Sequence, residues 1–544
     1  MQKQEEMKNE QGMSNNTENV KSHQVGWLFL ERNQKEVARK ILGKDYQMVK
    51  YGGWGYLDEF FIFMKKLGLF NLPPIKGEGF QRKMFALTKI ILLYQMKVLF
   101  SVPSMNQIPD TLFQDIGLLE ILGFTGLQIK NGFCKRGQGK HNGPMHKDTL
   151  ADALAKFSPS EIEEILNYSI KILARNGLVS DSKFIADSTP IQTTSKCKGC
   201  GCKAVKEKHV NKNKEIVEIE KLIYGFKLLV IRGVESNICV AAKLVQIQEH
   251  ESQYLLEIIK KAQENLNKKR LGTLLIDRGF IDGVNLWKVK HEFYLDFIIP
   301  CKTNMEITND ARGLKGIRQE GIYYQEREIK EKVKVEGKDK EKDKEKEKLV
   351  DKSVAIIGIE NLTSYEEYGD EEHQRQHKLN RYKKEEYQGR KKFMGNPLNV
   401  IMVTKWKGKE YSPGKEKVFL TTLPVNNPLE ILDLYDLRSL IENTTFRELK
   451  QGWLINKIPK KTFNAVNAHV LLTLSMFNLT NAYRTEKGQE IAQKGIRSYR
   501  IKNSAKTRDK IIVIAIPYYA IFDLEEFAVL VGNGNYKGNF TLFC

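Results

Sequence analysis

The sequence predicts a mixed α/β fold in which a helix-backed sheet follows a mainly helical N-terminal region and is interrupted by a β-rich insertion. Three observations carry that expectation. From Ser182 onward, short apolar runs alternate with helical patterns: strands at 183–187, 224–231 and 238–247, a helix at 252–266, a strand at 273–277, a helix at 283–290 and a strand at 293–300. Before Ser182, from Val25 to Leu178, apolar residues recur with helical periodicity. Between Lys302 and Met394 the alternation breaks, and it resumes with strands at 399–404 and 417–422.

Taken in order, residues 1–24 are polar and poor in apolar side chains, the composition of a disordered tail. Residues 25–180 form the helical region, which is also a candidate for DNA binding. Its clearest helices are expected at 35–42, 57–67, 80–99 and 111–122, punctuated by Gly52-Gly53, Pro73-Pro74 and Pro103. Ser158-Pro159-Ser160-Glu161 carries the signature of a helix start: serine caps, proline suits the first turn and glutamate closes a capping box. Asp148-Thr149 is expected to start the preceding helix. Residues 181–301 form the first part of the α/β core and 302–395 the β-rich insertion, with strands expected at 354–359 and 365–368. Within the insertion, Lys338 to Lys348 alternates six lysines with five acids, which nearly cancel, so it reads as a solvated loop. Residues 396–485 complete the core and 486–544 form a basic C-terminal segment.

Composition narrows the partners. Lys and Arg number 88 against 67 Asp and Glu, a net charge of +21. Such an excess favours a polyanionic partner, either nucleic acid or an anionic membrane. The most apolar run, Phe85 to Phe100, is broken by Lys89 and Lys97, short of the ~20 residues a membrane span needs. It reads as a buried helix, and no membrane partner is expected. The N-terminus has no apolar signal segment, and seven cysteines suit a reducing compartment without disulfides, so the expected location is cytoplasmic and chromosome-associated.

Several local features compete for a functional reading. The basic loop Lys135 to His141 lacks the spacing of a phosphate-binding P-loop. Lys494, Arg497, Arg500, Lys502, Lys506 and Arg508, with Tyr499 among them, make the best local candidate for phosphate contacts. His469, alone on an apolar helix, reads as a core histidine. Cys197, Cys200 and Cys202 lie near His209 but lack the second ligand couple usual in structural zinc sites, so the segment reads as a glycine- and lysine-rich connection.

The chemistry-bearing pattern is spread along the chain. Asp187 ends the run Phe184-Ile-Ala-Asp, Asp277 ends Leu274-Leu-Ile-Asp, and functional residues of open α/β sheets gather at such strand ends. Further on, Tyr435, Arg438 and Glu442 fall on one helical face at about 100° per residue, beside an apolar stripe of Leu434, Leu437 and Ile441. Alone, an i,i+4 Arg–Glu pair is an ordinary surface feature. Brought together with two aspartates, Glu442 completes a set of hard oxygen ligands that suits Mg²⁺ or Mn²⁺ rather than zinc. Two such ions, roughly 4 Å apart, can activate a water or a 3′-hydroxyl and stabilise the leaving oxygen of a phosphodiester.

These motifs resemble those of the DDE transposases of bacterial insertion sequences, in the subgroup with a Tyr-x-x-Arg-x-x-x-Glu signature: Asp187 in Phe184-Ile-Ala-Asp-Ser-Thr, Asp277 in Ile276-Asp-Arg-Gly-Phe, then Tyr435, Arg438 and Glu442. The resemblance spans about 133–483. It implies an RNase H-like core, a β-rich insertion before the acidic helix, and Asp187, Asp277 and Glu442 holding two Mg²⁺ or Mn²⁺ ions. It also implies an enzyme that cleaves double-stranded DNA at element ends and joins those ends to target DNA, as a homodimer on paired ends. Tyr435 and Arg438 are implied to contact DNA phosphates, with Arg278 beside the second aspartate. The family places a lysine seven residues after the glutamate; here that position is Leu449, and Lys450 follows one later, about 80° off the Glu442 line on a regular helix. Two other readings stay open: an RNase H-fold nuclease without strand transfer, and a sequence-specific DNA-binding protein whose catalysis has decayed.

Overall fold

In the computed structural model the described residues are 30–52, 57–81, 86–115, 118–119, 122–132, 144–210, 216–267, 271–335, 346–365, 396–486 and 510–532. The chain forms two compact units, one of Val179–Pro190 with Lys227–Phe446, the other of Met1–Leu178, Ile191–Phe226 and Arg447–Cys544.

The first unit is organised by a mixed sheet. Its strands in chain order are β1 (Lys183–Thr193), β2 (Ile216–Gly233), β3 (Cys239–Gln246), β4 (Thr273–Ile276) and β5 (Asp296–Pro300). In space they run β3-β2-β1-β4-β5, with the β1–β4 and β4–β5 pairs parallel. This is the strand order of an RNase H-like core. The parallel strands β4 and β5 are apolar throughout their centres, as strands buried on both faces must be. Gly272 opens β4 at φ +70°, and a Cβ there would lie 2.2 Å from the Ser182 carbonyl oxygen, so only glycine lets β4 approach β1 this closely.

The two strands of the insertion, together with two from the second part of the core, extend this same sheet rather than forming a separate one. Beyond β5 come β9 (Lys417–Thr421), β8 (Leu398–Trp406), β7 (Lys346–Leu362) and β6 (Ile322–Val335), each antiparallel to its neighbour. The expected strand at 354–359 is therefore the inner part of a longer one. Lys346–Lys348 of the charged run are paired within β7; residues 338–345 lie outside the described residues, as does most of the expected strand at 365–368. Helices α1 (Leu255–Asn265), α2 (Gly283–His291) and α3 (Pro428–Asp436) pack in the same unit, which also contains a helix at Glu306–Gly313. Pro428 sits in the first turn of its helix, where its missing N–H has no intrahelical partner to lose.

The second unit centres on a helix at Phe463–Glu486, in which every residue from Ala465 to Tyr483 is buried. It packs against the helices at Leu57–Lys66, Leu87–Leu99, Lys147–Lys156 and Pro159–Arg175. The last of these starts with the anticipated capping box: Ser158 Oγ accepts from the Glu161 N–H, while the Glu161 carboxylate accepts from the Ser158 N–H. The helix before it begins at Lys147, capped by His146 rather than by Asp148. His469 is a core histidine, its Nδ1 2.8 Å from the Tyr94 hydroxyl. The apolar helix begins at Leu87, not at Phe80, and it buries both Lys89 and Lys97. Burial pushes each lysine down to about 8; Lys89 Nζ donates to the Gly123 carbonyl at 2.5 Å. Of the helix expected at 111–122, Leu112–Gln114 forms a 3₁₀ turn and Leu118–Leu119 are helical; residues 116–117 and 120–121 lie outside the described residues.

One expectation for this unit is corrected. The segment after β1 is not a connection: Gly201–Val210 is a strand, paired antiparallel with the first half of β2. The N-terminal region is mainly helical, as expected, and also supplies two strands. Strands at Glu31–Arg32 and Met48–Gly52 join Lys510–Ala515 and Tyr518–Asp523 in a four-stranded sheet, whose inner face packs Val513, Ala520 and Phe522 against Val37 and Ile41. No helix among the described residues is long and apolar enough to cross a membrane.

Candidate active site

Pairing between β1 and β4 runs from Lys183–Thr273 to Ala186–Ile276 and stops there. Asp187 and Asp277 are the next residue on each strand, and the Asp277 N–H donates to the Ala186 carbonyl at 3.2 Å. The two carboxylates are thereby placed side by side where the parallel ladder ends. β1 itself continues to Thr193 through Pro190, so Asp187 lies within its strand and not at its end. Asp277 does terminate β4, and its side chain caps the turn that follows by accepting from the Gly279 N–H at 3.1 Å.

Glu442 arrives from a helix that is not regular. α3 ends at Asp436, and Ile441–Phe446 forms a π-helical turn. Such a turn contains one residue more than an α-helical one, and π-bulges favour functional sites. An extra residue is also what separates Glu442 from Lys450 relative to the family spacing. Two threonines anchor the turn: Thr444 Oγ1 accepts from Arg232 Nη1 at 3.3 Å, and Thr445 Oγ1 donates to Asn237 Oδ1 at 2.9 Å. Arg232 lies at the end of β2 and Asn237 within the β2–β3 connection, so that hairpin holds the acidic helix in place.

One guanidinium joins the three carboxylates. Arg438 Nη1 lies 2.6 Å from Asp187 Oδ2 and 3.3 Å from Asp277 Oδ1, while Nη2 lies 3.0 Å from Glu442 Oε1. Exposure rises across the cluster, from 8% at Asp187 through 37% at Asp277 to 58% at Glu442, so the site is open on the Glu442 side. The Asp187 Oδ1 accepts from the Ser188 N–H at 2.7 Å. Burial nevertheless pushes Asp187 up to about 7; the charges of Asp277 and Glu442 add to the rise, against the opposing pull of Arg438 and the Ser188 N–H. The cluster thus holds more negative charge than one arginine neutralises. Tyr435 is buried, its ring 4.8 Å from that of Phe419 and 6.0 Å from the Arg438 guanidinium carbon, and burial raises its hydroxyl above the ordinary range.

Hard oxygen ligands short of positive charge fit a divalent cation of the Mg²⁺ or Mn²⁺ class. As the side chains stand, among the described residues no three acidic, histidine or cysteine groups enclose an ion. Arg438 is in contact with all three carboxylates and supplies the positive charge among them. Arg278 is exposed directly after Asp277, and Lys450 is half-buried on the helix Arg447–Gln451, where burial lowers its pKa. Lys494, Arg497, Arg500, Lys502, Lys506 and Arg508, and the loop at 135–141, lie outside the described residues. Cys197 is buried, Cys200 half-buried and Cys202 exposed.

Sequence reasoning missed the shell behind the aspartates. Glu251, 16% exposed, accepts from Lys227 Nζ and from Ser188 Oγ, both at 2.9 Å. Burial works against its charge, but Lys227 and the Ser188 hydroxyl outweigh it and lower its pKa. Its only signal in the sequence is a polar run, Glu249-His250-Glu251-Ser252, at the start of a helix.

Residues 180–479, more than half of the chain, match the family described as "Transposase DDE domain". The chain belongs to that family. Asp187, Asp277 and Glu442 all fall within the matched DDE domain. Among solved structures, the chain is similar to the piggyBac transposase in a synaptic complex with hairpin DNA, at 10% identity and a TM-score of 0.36 over 89% of this chain and 78% of that one. No curated protein sequence matches it.

Proposed function

We propose that the protein is a metal-dependent transposase that cleaves double-stranded DNA at the ends of an insertion element and joins the freed 3′-hydroxyls to target DNA. The observation that carries the proposal is the convergence of Asp187, Asp277 and Glu442 on one guanidinium at the end of the β1–β4 ladder. Asp187, Asp277 and Glu442 would hold two Mg²⁺ or Mn²⁺ ions, which when bound supply an activated oxygen nucleophile and stabilise the leaving oxygen. Arg438, once out of the carboxylate cluster, would bind a DNA phosphate through its fork of N–H donors. Tyr435 backs Arg438 through its ring face. Arg278 and Lys450 are the adjacent cations for the same backbone, and the net charge of +21 draws DNA to the surface. Action as a homodimer on paired ends follows the family reading.

The test uses the full-length protein, Mg²⁺ and DNA carrying the sequences that flank the reading frame. Wild-type protein should release 3′-hydroxyl ends and join them to a supercoiled target, and Asp277→Ala should do neither. Undiminished cleavage by Asp277→Ala would overturn the metal-site assignment. Cleavage without any joining would instead make the protein a nuclease.

A further inference from the structure

The Glu251 carboxylate belongs to no part of the three-carboxylate set, yet it touches the backbone segments that carry both aspartates. On one side Ser188 Oγ donates to Glu251 Oε1 at 2.9 Å, and the same serine's N–H donates to Asp187 Oδ1 at 2.7 Å. On the other side stands Gly279, whose N–H donates to Asp277 Oδ2 at 3.1 Å. A Cβ built on Gly279 would come 2.3 Å from Glu251 Oε2, so the carboxylate lies directly against that backbone and glycine is what admits it. Glu251 is itself fixed. Lys227 Nζ reaches its Oε1 at 2.9 Å and donates to the Glu249 carbonyl at 2.9 Å, pinning two points of one turn.

We propose that Glu251, with Lys227 and Ser188, is a positioning device that sets the separation and orientation of the Asp187 and Asp277 carboxylates for metal binding. The inference rests on the metal-site reading above. Lys227 already neutralises Glu251, so the carboxylate's part is to orient neighbours rather than to hold an ion. Its two oxygens divide the work. Oε1 fixes the Ser188 hydroxyl and with it the N–H that clamps Asp187; Oε2 is the floor under the turn in which Asp277 accepts from Gly279. Orientation of ligands by hydrogen-bonded neighbours commonly changes metal affinity by 10–100-fold, and the shared serine makes the effect a property of the path rather than of one residue.

The experiment titrates Mn²⁺ into the full-length protein at pH 8, reading free Mn²⁺ by electron paramagnetic resonance, with Asp187→Asn as the reference for a lost ligand. Glu251→Ala and Ser188→Ala are each expected to weaken Mn²⁺ binding by about tenfold, and the double variant by no more than the larger of the two. Glu251→Gln, whose amide oxygen still accepts from Ser188, should restore binding to within about threefold of wild type. If Glu251→Ala does not fold, Ser188→Ala and Glu251→Gln decide the matter. Wild-type binding by Ser188→Ala and Glu251→Ala alongside loss in Asp187→Asn would overturn the positioning role alone. Loss in Glu251→Gln as complete as in Asp187→Asn would also overturn it, making Glu251 a ligand. Wild-type binding by Asp187→Asn would sink the metal-site reading and this inference with it.

Discussion

Asp187→Asn is expected to lower DNA cleavage by about 10³-fold or more while making the metal-free protein more stable at alkaline pH. The loss of activity reflects removal of the most buried of the three metal-directed carboxylates, and a thousandfold corresponds to about 4 kcal/mol of transition-state stabilisation. The gain in stability follows from the same burial. Asp187 is pushed up to about 7 in the folded chain, against about 3.9 when unfolded. Between those values the folded chain holds a proton that the unfolded chain has released. The stability this group contributes is therefore fully present below about pH 4 and is lost as pH rises through about 7. An asparagine carries no such penalty. In EDTA the thermal midpoint of Asp187→Asn should exceed that of wild type at pH 8, and the difference should shrink at pH 5 by the equivalent of roughly 2.5 kcal/mol. A variant less stable than wild type at both pH values would mean that the Arg438 pair, not burial, dominates the energetics of Asp187.

Arg438→Ala is expected to move metal binding and catalysis in opposite directions. Arg438 touches all three carboxylates, so a divalent ion entering the cluster competes with its guanidinium. Removing that competitor at pH 8 should tighten Mn²⁺ binding by about tenfold, the equivalent of about 1.4 kcal/mol. DNA cleavage should fall by about 10²-fold, because a forked, charge-assisted contact to a phosphate is lost. Lysine is not an adequate replacement, since a single ammonium cannot reproduce contacts at both Nη1 and Nη2. Calorimetric titration with Mn²⁺ and a cleavage time course check the two halves separately. A variant that binds Mn²⁺ more weakly than wild type would show that Arg438 organises the carboxylates instead of occupying their cation site.

Much of this site was legible in the sequence because its parts are local. Asp187 and Asp277 each follow a short apolar run, and strand spacing and burial are written in such runs. The Pro428 start of α3 and the Ser158 capping box are equally local, since each depends on residues within one turn. What escaped depends on partners far apart. The continuation of β1 past Asp187 runs through Pro190, which reads as a break in isolation. The four-stranded sheet pairs residues 48–52 with 510–514, and no local pattern announces a partner so distant. Glu442 was read on a regular helix; the π turn that carries it is held by Arg232 and Asn237, which approach from the end of β2 and from the β2–β3 connection. Glu251 was invisible for the same reason, its meaning lying in Ser188 and Gly279 and not in its neighbours along the chain.

The central claim, that Asp187, Asp277 and Glu442 form one divalent-metal site, is tested most directly by loading the protein with Fe²⁺ in place of Mg²⁺ and generating hydroxyl radicals with ascorbate and peroxide. Radicals formed at a bound ion cut the nearest backbone. The account predicts cuts close to residues 187, 277 and 442 together, all suppressed by excess Mg²⁺ and absent in Asp277→Ala. Cleavage confined to other segments, or cuts at these three that persist in Asp277→Ala, would contradict it.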